Sequence, residues 1–454
     1  MKKKLLLINP IESSVIGLNR YRATNFPPLS LAYVAALTPR DAWDIDIIDE
    51  NFELFAFRGA DLVGITSFTC NINRAYAIAS EYKKTGIPVV MGGIHVSLLP
   101  DEALTFCDSV VIGDANGIWR KVLDDFENGM LKRTYNGGTM DLDSLVLPDT
   151  TILNKSYRWG TLLTSRGCPM KCDFCSVTKF CGAQYKQRPI ESIVAEFKTI
   201  QQQNVLFLDD NILGYGPQAE TRAVRLFKEI AALGLKKNIF CQASLNIADS
   251  PEVLQYAARA GVRLILIGFE SVNEESLRGM RKSLNLKFGI SSYRQKVRAI
   301  HRAGIGVWGC FILGNDNDGP DVFDRIYNAA TECAIDVLQV SHSTPLPQTP
   351  LFERIQKEGR LLYGNFPFDW KYYTLTNIMY KPRHLSVKEL QLGFYRIRTR
   401  YFNPVHSILR TIKTFACTRS LKTTLIAYLF NDSFRKKVKK KFQMEHTAAL
   451  QAIH

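Results

Sequence analysis

The sequence predicts an α/β protein in three parts: a Rossmann-like, doubly wound parallel sheet over residues 1–135, an open, partial (βα)6 barrel over 158–355, and a small, mostly helical C-terminal domain over 356–454. Three observations carry this expectation. Residues 1–130 alternate short apolar runs with helical stretches, the pattern of a parallel sheet covered on both faces. Residues 136–157 hold Gly137-Gly138, Asp-rich turns and Pro148-Asp149, and read as a linker. A second alternating series follows with six strand signals, too few to close an eight-unit barrel.

Composition agrees. At 454 residues the chain is long enough for two or three domains. Hydrophobic content of 46% with 22% charged residues is that of a globular protein. The start, Met1-Lys-Lys-Lys-Leu-Leu-Leu-Ile-Asn-Pro10, has too short an apolar run for a signal peptide and reads as a buried strand. No apolar stretch approaches the roughly 18 residues of a membrane span. Of ten cysteines, only three form a tight pattern; the rest sit in or beside apolar runs as small buried hydrophobes, a usage suited to a reducing cytoplasm. The net charge is +15, and residues 405–454 hold ten Lys or Arg against two acids. The basic run at 435–441 reads first as a solvated tail, with phosphate or anionic lipid as the alternative contact.

In the first part, strand signals fall at 4–8, 43–48, 62–66, 89–91 and 109–112, and helices near 29–37, 73–84 and 116–126. Ligands of such sheets bind beyond the carboxyl ends of the strands. The candidates there are Thr66, Ser67, Gly92, Gly93, His95 and Gly113. Gly92 and Gly93 let backbone N–H groups approach an anion, or they simply make a tight turn. His95 taken alone is as readily a hydrogen-bonding turn residue.

In the second part, strands are expected near 160–165, 204–208, 239–243, 262–267, 305–313 and 335–341, with helices near 190–202, 219–233, 252–259, 288–303 and 321–333. The first strand runs into Cys168-Pro-Met-Lys-Cys172-Asp-Phe-Cys175, with C-x3-C-x2-C spacing. Three thiolates on one short loop suit a corner of a [4Fe–4S] cube and leave the fourth iron open. A zinc site is the alternative; it would need a fourth ligand such as Cys181.

This loop, with Phe174 before the third cysteine, resembles that of the radical S-adenosylmethionine (radical SAM) superfamily. The resemblance implies that SAM chelates the open iron and is cleaved reductively to methionine and a 5′-deoxyadenosyl radical, with a reducing partner such as flavodoxin or ferredoxin. Further motifs follow in the family's order: Phe207-Leu-Asp-Asp-Asn211, Gln242-Ala-Ser-Leu-Asn246, Ile267-Gly-Phe-Glu-Ser271, Gly309-Cys-Phe-Ile-Leu-Gly314 and Thr344-Pro-Leu-Pro-Gln-Thr-Pro350. They imply SAM contacts from Asp209, Asp210, Ser244, Glu270, Gly309 and Gly314. Gln348 stands where the family has glycine.

Asn9-Pro10, Pro27-Pro28-Leu-Ser-Leu-Ala-Tyr33, Gly64-Ile-Thr-Ser67, Gly92-Gly-Ile-His-Val-Ser-Leu-Leu-Pro100 and Val111-Ile-Gly-Asp114 resemble the cobalamin-binding domain of the class B radical SAM family. That resemblance implies cobalamin without a cobalt-ligating histidine from a D-x-H-x-x-G motif, which the chain lacks. Gly113-Asp-Ala-Asn116 replaces the family's Gly-Glu-Ala-Glu.

The C-terminal part carries aromatic residues, as in 369–373 and 394–398, and Ser386-Val-Lys-Glu389 fits a helix capping box. It resembles the domain appended in the hopanoid methylase and the anaerobic porphyrin-ring cyclase. The expected function is methyl transfer through cobalamin to an unactivated carbon or phosphorus of a small or lipid-like substrate. The alternatives are a non-methylating cyclisation, ring rearrangement or oxygen insertion, and a non-catalytic cobalamin or nucleic-acid binding protein.

Overall fold

The computed structural model describes residues 1–12, 26–139 and 141–451, with side chains described as far as Val438. The chain forms two compact units, Met1–Gln203 with Thr344–Tyr380, and Asn204–Ser343 with Lys381–His454.

The first unit holds a six-stranded, all-parallel sheet of order β2-β1-β3-β4-β5-β6. Its strands are β1 (Lys3–Asn9), β2 (Trp43–Asp49), β3 (Leu62–Thr66), β4 (Val89–Gly92), β5 (Ser109–Gly113) and β6 (Thr134–Gly138). Alternate side chains of β1 serve two cores. Leu5 and Leu7 join Val90 and Val111 under α1 (Leu29–Ala36) and α5 (Trp119–Glu127). Leu6 and Ile8 join Ile65 and Met91 under α2 (Ile72–Lys84). Two buried faces explain why these strands read as continuous apolar runs. The short helices α3 (Ile94–Leu98) and α4 (Pro100–Ala103) follow β4. Strand β6 corrects the sequence expectation, which counted five strands and began a linker at 136. Only Tyr135 of β6 is buried, so this edge strand carries no apolar signal.

The strand β7 (Trp159–Leu162) follows, then an antiparallel pair, β8 (Ser165–Arg166) with β9 (Lys186–Gln187). Between them lies α6 (Ser176–Cys181), and after them α7 (Ile190–Thr199).

The second unit carries a parallel sheet of order β14-β13-β12-β11-β10. Its strands are β10 (Asn204–Phe207), β11 (Asn238–Ala243), β12 (Val262–Glu270), β13 (Gly306–Leu313) and β14 (Val337–His342). The connecting helices are α8 (Pro217–Ala232), α9 (Pro251–Ala260), α10 (Glu274–Gly279), α11 (Ser283–Phe288), α12 (Tyr293–Arg302) and α13 (Val322–Glu332). All six strands expected of the barrel form, β7 in the first unit and five in the second. The two short helices α10 and α11 are additions.

Residues 344–380 return to the first unit, contrary to a C-terminal domain beginning at 356. The helix α14 (Pro350–Lys357) is capped by Thr349, whose hydroxyl accepts from Phe352 N at 3.2 Å. Gln348 adopts φ +63°, the left-handed region that favours the glycine it replaces. Trp370 and Tyr373 then bury in the core that includes Leu6 and Ile65. Their large apolar surface drives this docking, at roughly 25 cal/mol per Å² buried.

The chain ends in the second unit with α15 (Val387–Tyr401), α16 (Pro404–Thr418) and α17 (Leu421–Gln451). The expected capping box opens α15: Ser386 N donates to Glu389 at 2.8 Å, and Glu389 N to the Ser386 hydroxyl at 3.2 Å. The basic run at 435–441 lies in α17, and its last three side chains fall outside those described.

Candidate functional site

The cysteine loop begins where β8 ends. Gly167 has φ +85°, and a Cβ there would lie 2.2 Å from the carbonyl oxygen of Gln184, so only glycine fits the crossing. Residues 168–175 then run without regular structure into α6. Cys172 is buried, while Cys168 and Cys175 are half-buried. Cys175 N donates to Cys172 O at 3.3 Å, which tightens the turn between them.

The loop is held from outside. Asp173 is buried and accepts from Arg354 at 3.0 Å, and its carbonyl accepts from Leu351 N at 3.1 Å. Phe174 packs on Leu351, Ile355 and Tyr380. Three soft sulfur donors on one anchored, partly open loop fit an iron–sulfur cluster better than a closed structural zinc site. Neither Asp173 nor Arg354 stood out in the sequence. An acid between two candidate ligands was the one available signal for Asp173.

In the same unit, the carboxyl ends of β3, β4 and β5 gather the other candidates. Ser67 is buried, with its N–H donating to Gly92 O at 3.1 Å. Gly93 has φ +100°, and a Cβ would stand 2.4 Å from Ser67 O. Gly113 has φ +80°, and a Cβ would stand 2.2 Å from Gly138 O. These glycines let neighbouring backbones touch. Thr66, Gly92, Gly93 and Gly113 remain half-buried at the rim, where main-chain groups and small side chains suit a large, amide-rich cofactor such as cobalamin. The helix α3 on this edge packs against α6, next to the cysteine loop, and Arg166 pairs with Asp114 at 3.3 Å.

His95 does not present itself at that rim. It is fully buried, with Nδ1 3.1 Å from the Thr69 hydroxyl and Nε2 3.2 Å from Glu102. Burial pushes its pKa down, opposed by Glu102. Burial would raise Glu102, but hydrogen bonds from His95, Trp370 and Tyr76 outweigh it and hold the carboxyl below the usual range. With both ring nitrogens engaged, His95 braces α3 rather than contacting a cofactor.

In the second unit the remaining candidates other than Gly309 lie at or just beyond the carboxyl ends of the strands. Asp209 is buried and Asp210 half-buried after β10. Asn211 donates to the Ser244 hydroxyl at 3.0 Å, tying the ends of β10 and β11. Glu270 ends β12 at φ +62°, a strained position for a non-glycine residue, and pairs with Lys282 at 2.6 Å. Gly309 is buried inside β13 close to Ile335, a packing position. Gly314 turns at φ +84° after β13.

Asp318, which no local sequence pattern marks, holds that turn. Its carboxylate accepts from Gly314 N at 3.1 Å, Asn315 N at 3.0 Å and the Ser276 hydroxyl at 2.7 Å. Burial nonetheless pushes its pKa up from 3.8 to about 6. The native state thus keeps a proton that the unfolded chain releases earlier. Stability from this group is full below pH 3.8 and is lost as the pH rises through about 6. The Asp318→Asn variant is expected to be less stable at pH 5 and to lack that slope. Denaturant midpoints between pH 4 and pH 7 check this, and an unchanged slope refutes it.

The Radical SAM superfamily profile matches residues 162–328, and the B12 binding domain profile matches residues 16–123. The chain is similar to the bacteriochlorophyllide d C-12(1)-methyltransferase of Chlorobaculum tepidum, 30% identical over 417 residues and 88% of each protein. It is 28% identical to the hopanoid C-2 methylase of Rhodopseudomonas palustris over 76% of this chain and 67% of the relative. Its fold matches that of the radical SAM methyltransferase TsrM from Kitasatospora setae, solved with cobalamin and a [4Fe–4S] cluster. The TM-score is 0.73 at 16% identity, over 97% of this chain and all of the other.

Proposed function

The chain belongs to the cobalamin-dependent radical SAM methyltransferases, enzymes that use a [4Fe–4S] cluster, SAM and cobalamin, and we propose that its substrate is a tetrapyrrole-class ring system methylated at an unactivated carbon. The observation behind this reading is the similarity to a bacteriochlorophyllide methyltransferase over 88% of both chains, well beyond the two profile matches. A second bacteriochlorophyllide d methyltransferase, acting at C-8(2), is 27% identical over 85% of the chain.

Cys168, Cys172 and Cys175 are the residues that would hold the cluster. When bound, the cofactors supply one-electron cleavage of SAM to a carbon radical and a transferable methyl group. The protein's own part is to hold, orient and exclude water. The Arg354–Asp173 pair and the Phe174 contacts fix the loop that carries the thiolates. Asp209, Asp210, Ser244 and Glu270 offer polar groups to the amino, carboxylate and ribose groups of SAM. The Gly314 turn, pinned by Asp318, leaves backbone edges for its adenine. Thr66, Ser67, Gly92, Gly93 and Gly113 line the edge proposed for cobalamin. A chain of net charge +15 suits an acidic electron donor of the flavodoxin or ferredoxin class.

The test is anaerobic turnover of the reconstituted enzyme with a bacteriochlorophyllide and a reductant. The expected result is 5′-deoxyadenosine together with a product heavier by one methylene. Uncoupled 5′-deoxyadenosine with every tetrapyrrole offered, and methylation of another substrate, would overturn the substrate reading.

A further inference from the structure

Surface helices of globular proteins turn their apolar stripe to the core. The helix α16 does the reverse. Its buried residues are Thr414 and Thr418; the Thr414 hydroxyl donates to Asp336 at 2.6 Å and that of Thr418 to Thr414 O at 2.7 Å. Its apolar residues Val405, Ile408, Leu409, Ile412 and Phe415 recur at helical spacing on the opposite face, each 45–63% exposed.

The next helix repeats the arrangement. In α17, Thr423, Ala427 and Phe430 are buried, with Phe430 against Trp308 and Phe240. Leu421, Leu425, Tyr428 and Leu429 are exposed. The two helices pack on each other. Together they leave nine large apolar side chains facing water, more than scattered surface hydrophobics account for.

Charge selects the occupant. From Pro404 to Asn431 there is no Asp or Glu, while Arg410, Lys413, Arg419 and Lys422 are present. Lys413, Arg419 and Lys422 are exposed. The run at 435–441 adds six more cations to the same helix pair. Asp432 pairs with Arg435 and Lys436, and the balance of the helix pair stays strongly positive. An apolar stripe in a predominantly cationic setting is the signature of a helix lying in the interface of an anionic bilayer. A second copy of this chain would bring the same excess of positive charge to the contact. Among the described residues no helix is long and apolar enough to cross a membrane, so the attachment is to one surface.

We propose that α16 and α17 form a monotopic docking surface for an anionic lipid bilayer, with the apolar stripe entering the acyl boundary and the cations meeting lipid phosphates. This goes beyond the methyltransferase activity and does not depend on the substrate.

The experiment is flotation of the full-length chain with vesicles of phosphatidylcholine, with and without phosphatidylglycerol. The wild type is expected to float with the anionic vesicles and to be released by high salt. Ile408→Asn with Ile412→Asn should weaken binding roughly a hundredfold, about tenfold for each apolar side chain. Both positions are exposed, so thermal melting should stay unchanged and serves as the folding control. Lys413→Gln with Lys422→Gln should weaken binding to anionic vesicles only. Three outcomes overturn the proposal: wild type that stays with the unbound protein, Asn variants that float as the wild type does, or a wild-type dimer in light scattering that the Asn variants dissolve.

Discussion

Cys172→Ala is expected to abolish the brown iron–sulfur chromophore and 5′-deoxyadenosine formation in the anaerobically reconstituted enzyme. Losing an outer partner of a metal ligand costs about 10- to 100-fold, and losing one of three ligands should cost more. Cys181→Ala is the informative control. Cys181 is buried at the end of α6 and close to Gly167, so it was the candidate fourth ligand of a zinc site. A three-cysteine cluster predicts that Cys181→Ala keeps both chromophore and SAM cleavage. Equal loss in the two variants, or retention of activity in Cys172→Ala, rejects the assignment.

The largest expected effect on stability comes from Arg188→Ala. Arg188 and Glu196 form an ion pair in which both side chains are buried. The guanidinium also donates to Leu163 O at 3.3 Å and to the Ser192 hydroxyl at 2.8 Å, and Arg188 N donates to Thr164 O at 3.0 Å. These bonds tie α7 to the end of β7, just before the cysteine loop. Removing the arginine strands a buried carboxylate, at a cost of about 3–5 kcal/mol. Burial already pushes the pKa of Glu196 up, and Arg188 opposes that shift. Without Arg188 the carboxyl is raised further, so the variant's stability falls as the pH rises through that value and recovers at lower pH. Urea midpoints at pH 5 and pH 8 check both statements. A deficit under 1 kcal/mol, or one that grows at pH 5, contradicts them.

The parts of the site legible in the sequence were those whose chemistry needs a fixed local spacing. The C-x3-C-x2-C loop is proposed to wrap one small object, which places its candidate ligands as neighbours in the chain. The strand-end motifs at Asp209, Ser244, Glu270 and Gly314 follow apolar runs, and hydrophobic patterning marks such runs wherever both faces are buried. Strand β6 escaped because an edge strand with one buried side chain carries no pattern. The return of residues 344–380 escaped for a different reason. Trp370 and Tyr373 look alike in sequence whether they build a separate domain or complete an earlier core, because burial is a property of the partner surface.

His95 shows the same limit in a single residue. Its place after Gly92-Gly93 made it a candidate for the cofactor edge, but Thr69, Glu102 and Trp370 converge on it from three other segments. Asp173, Asp318 and Arg188 act through partners 181, 42 and 25 residues away, at Arg354, Ser276 and Leu163. No local pattern encodes such pairs.

The sequence by itself determined the two-part α/β architecture and the family to which the chain belongs, and it marked the cysteine loop proposed to hold the cluster, since each rests on short-range spacing and periodic burial. Only the tertiary structure decided which residues anchor the loop, where 344–380 docks, and which way α16 faces. Its stripe at 405–415 has the spacing of an ordinary core-facing helix. The burial of Thr414 and Thr418 is what turned that stripe toward solvent.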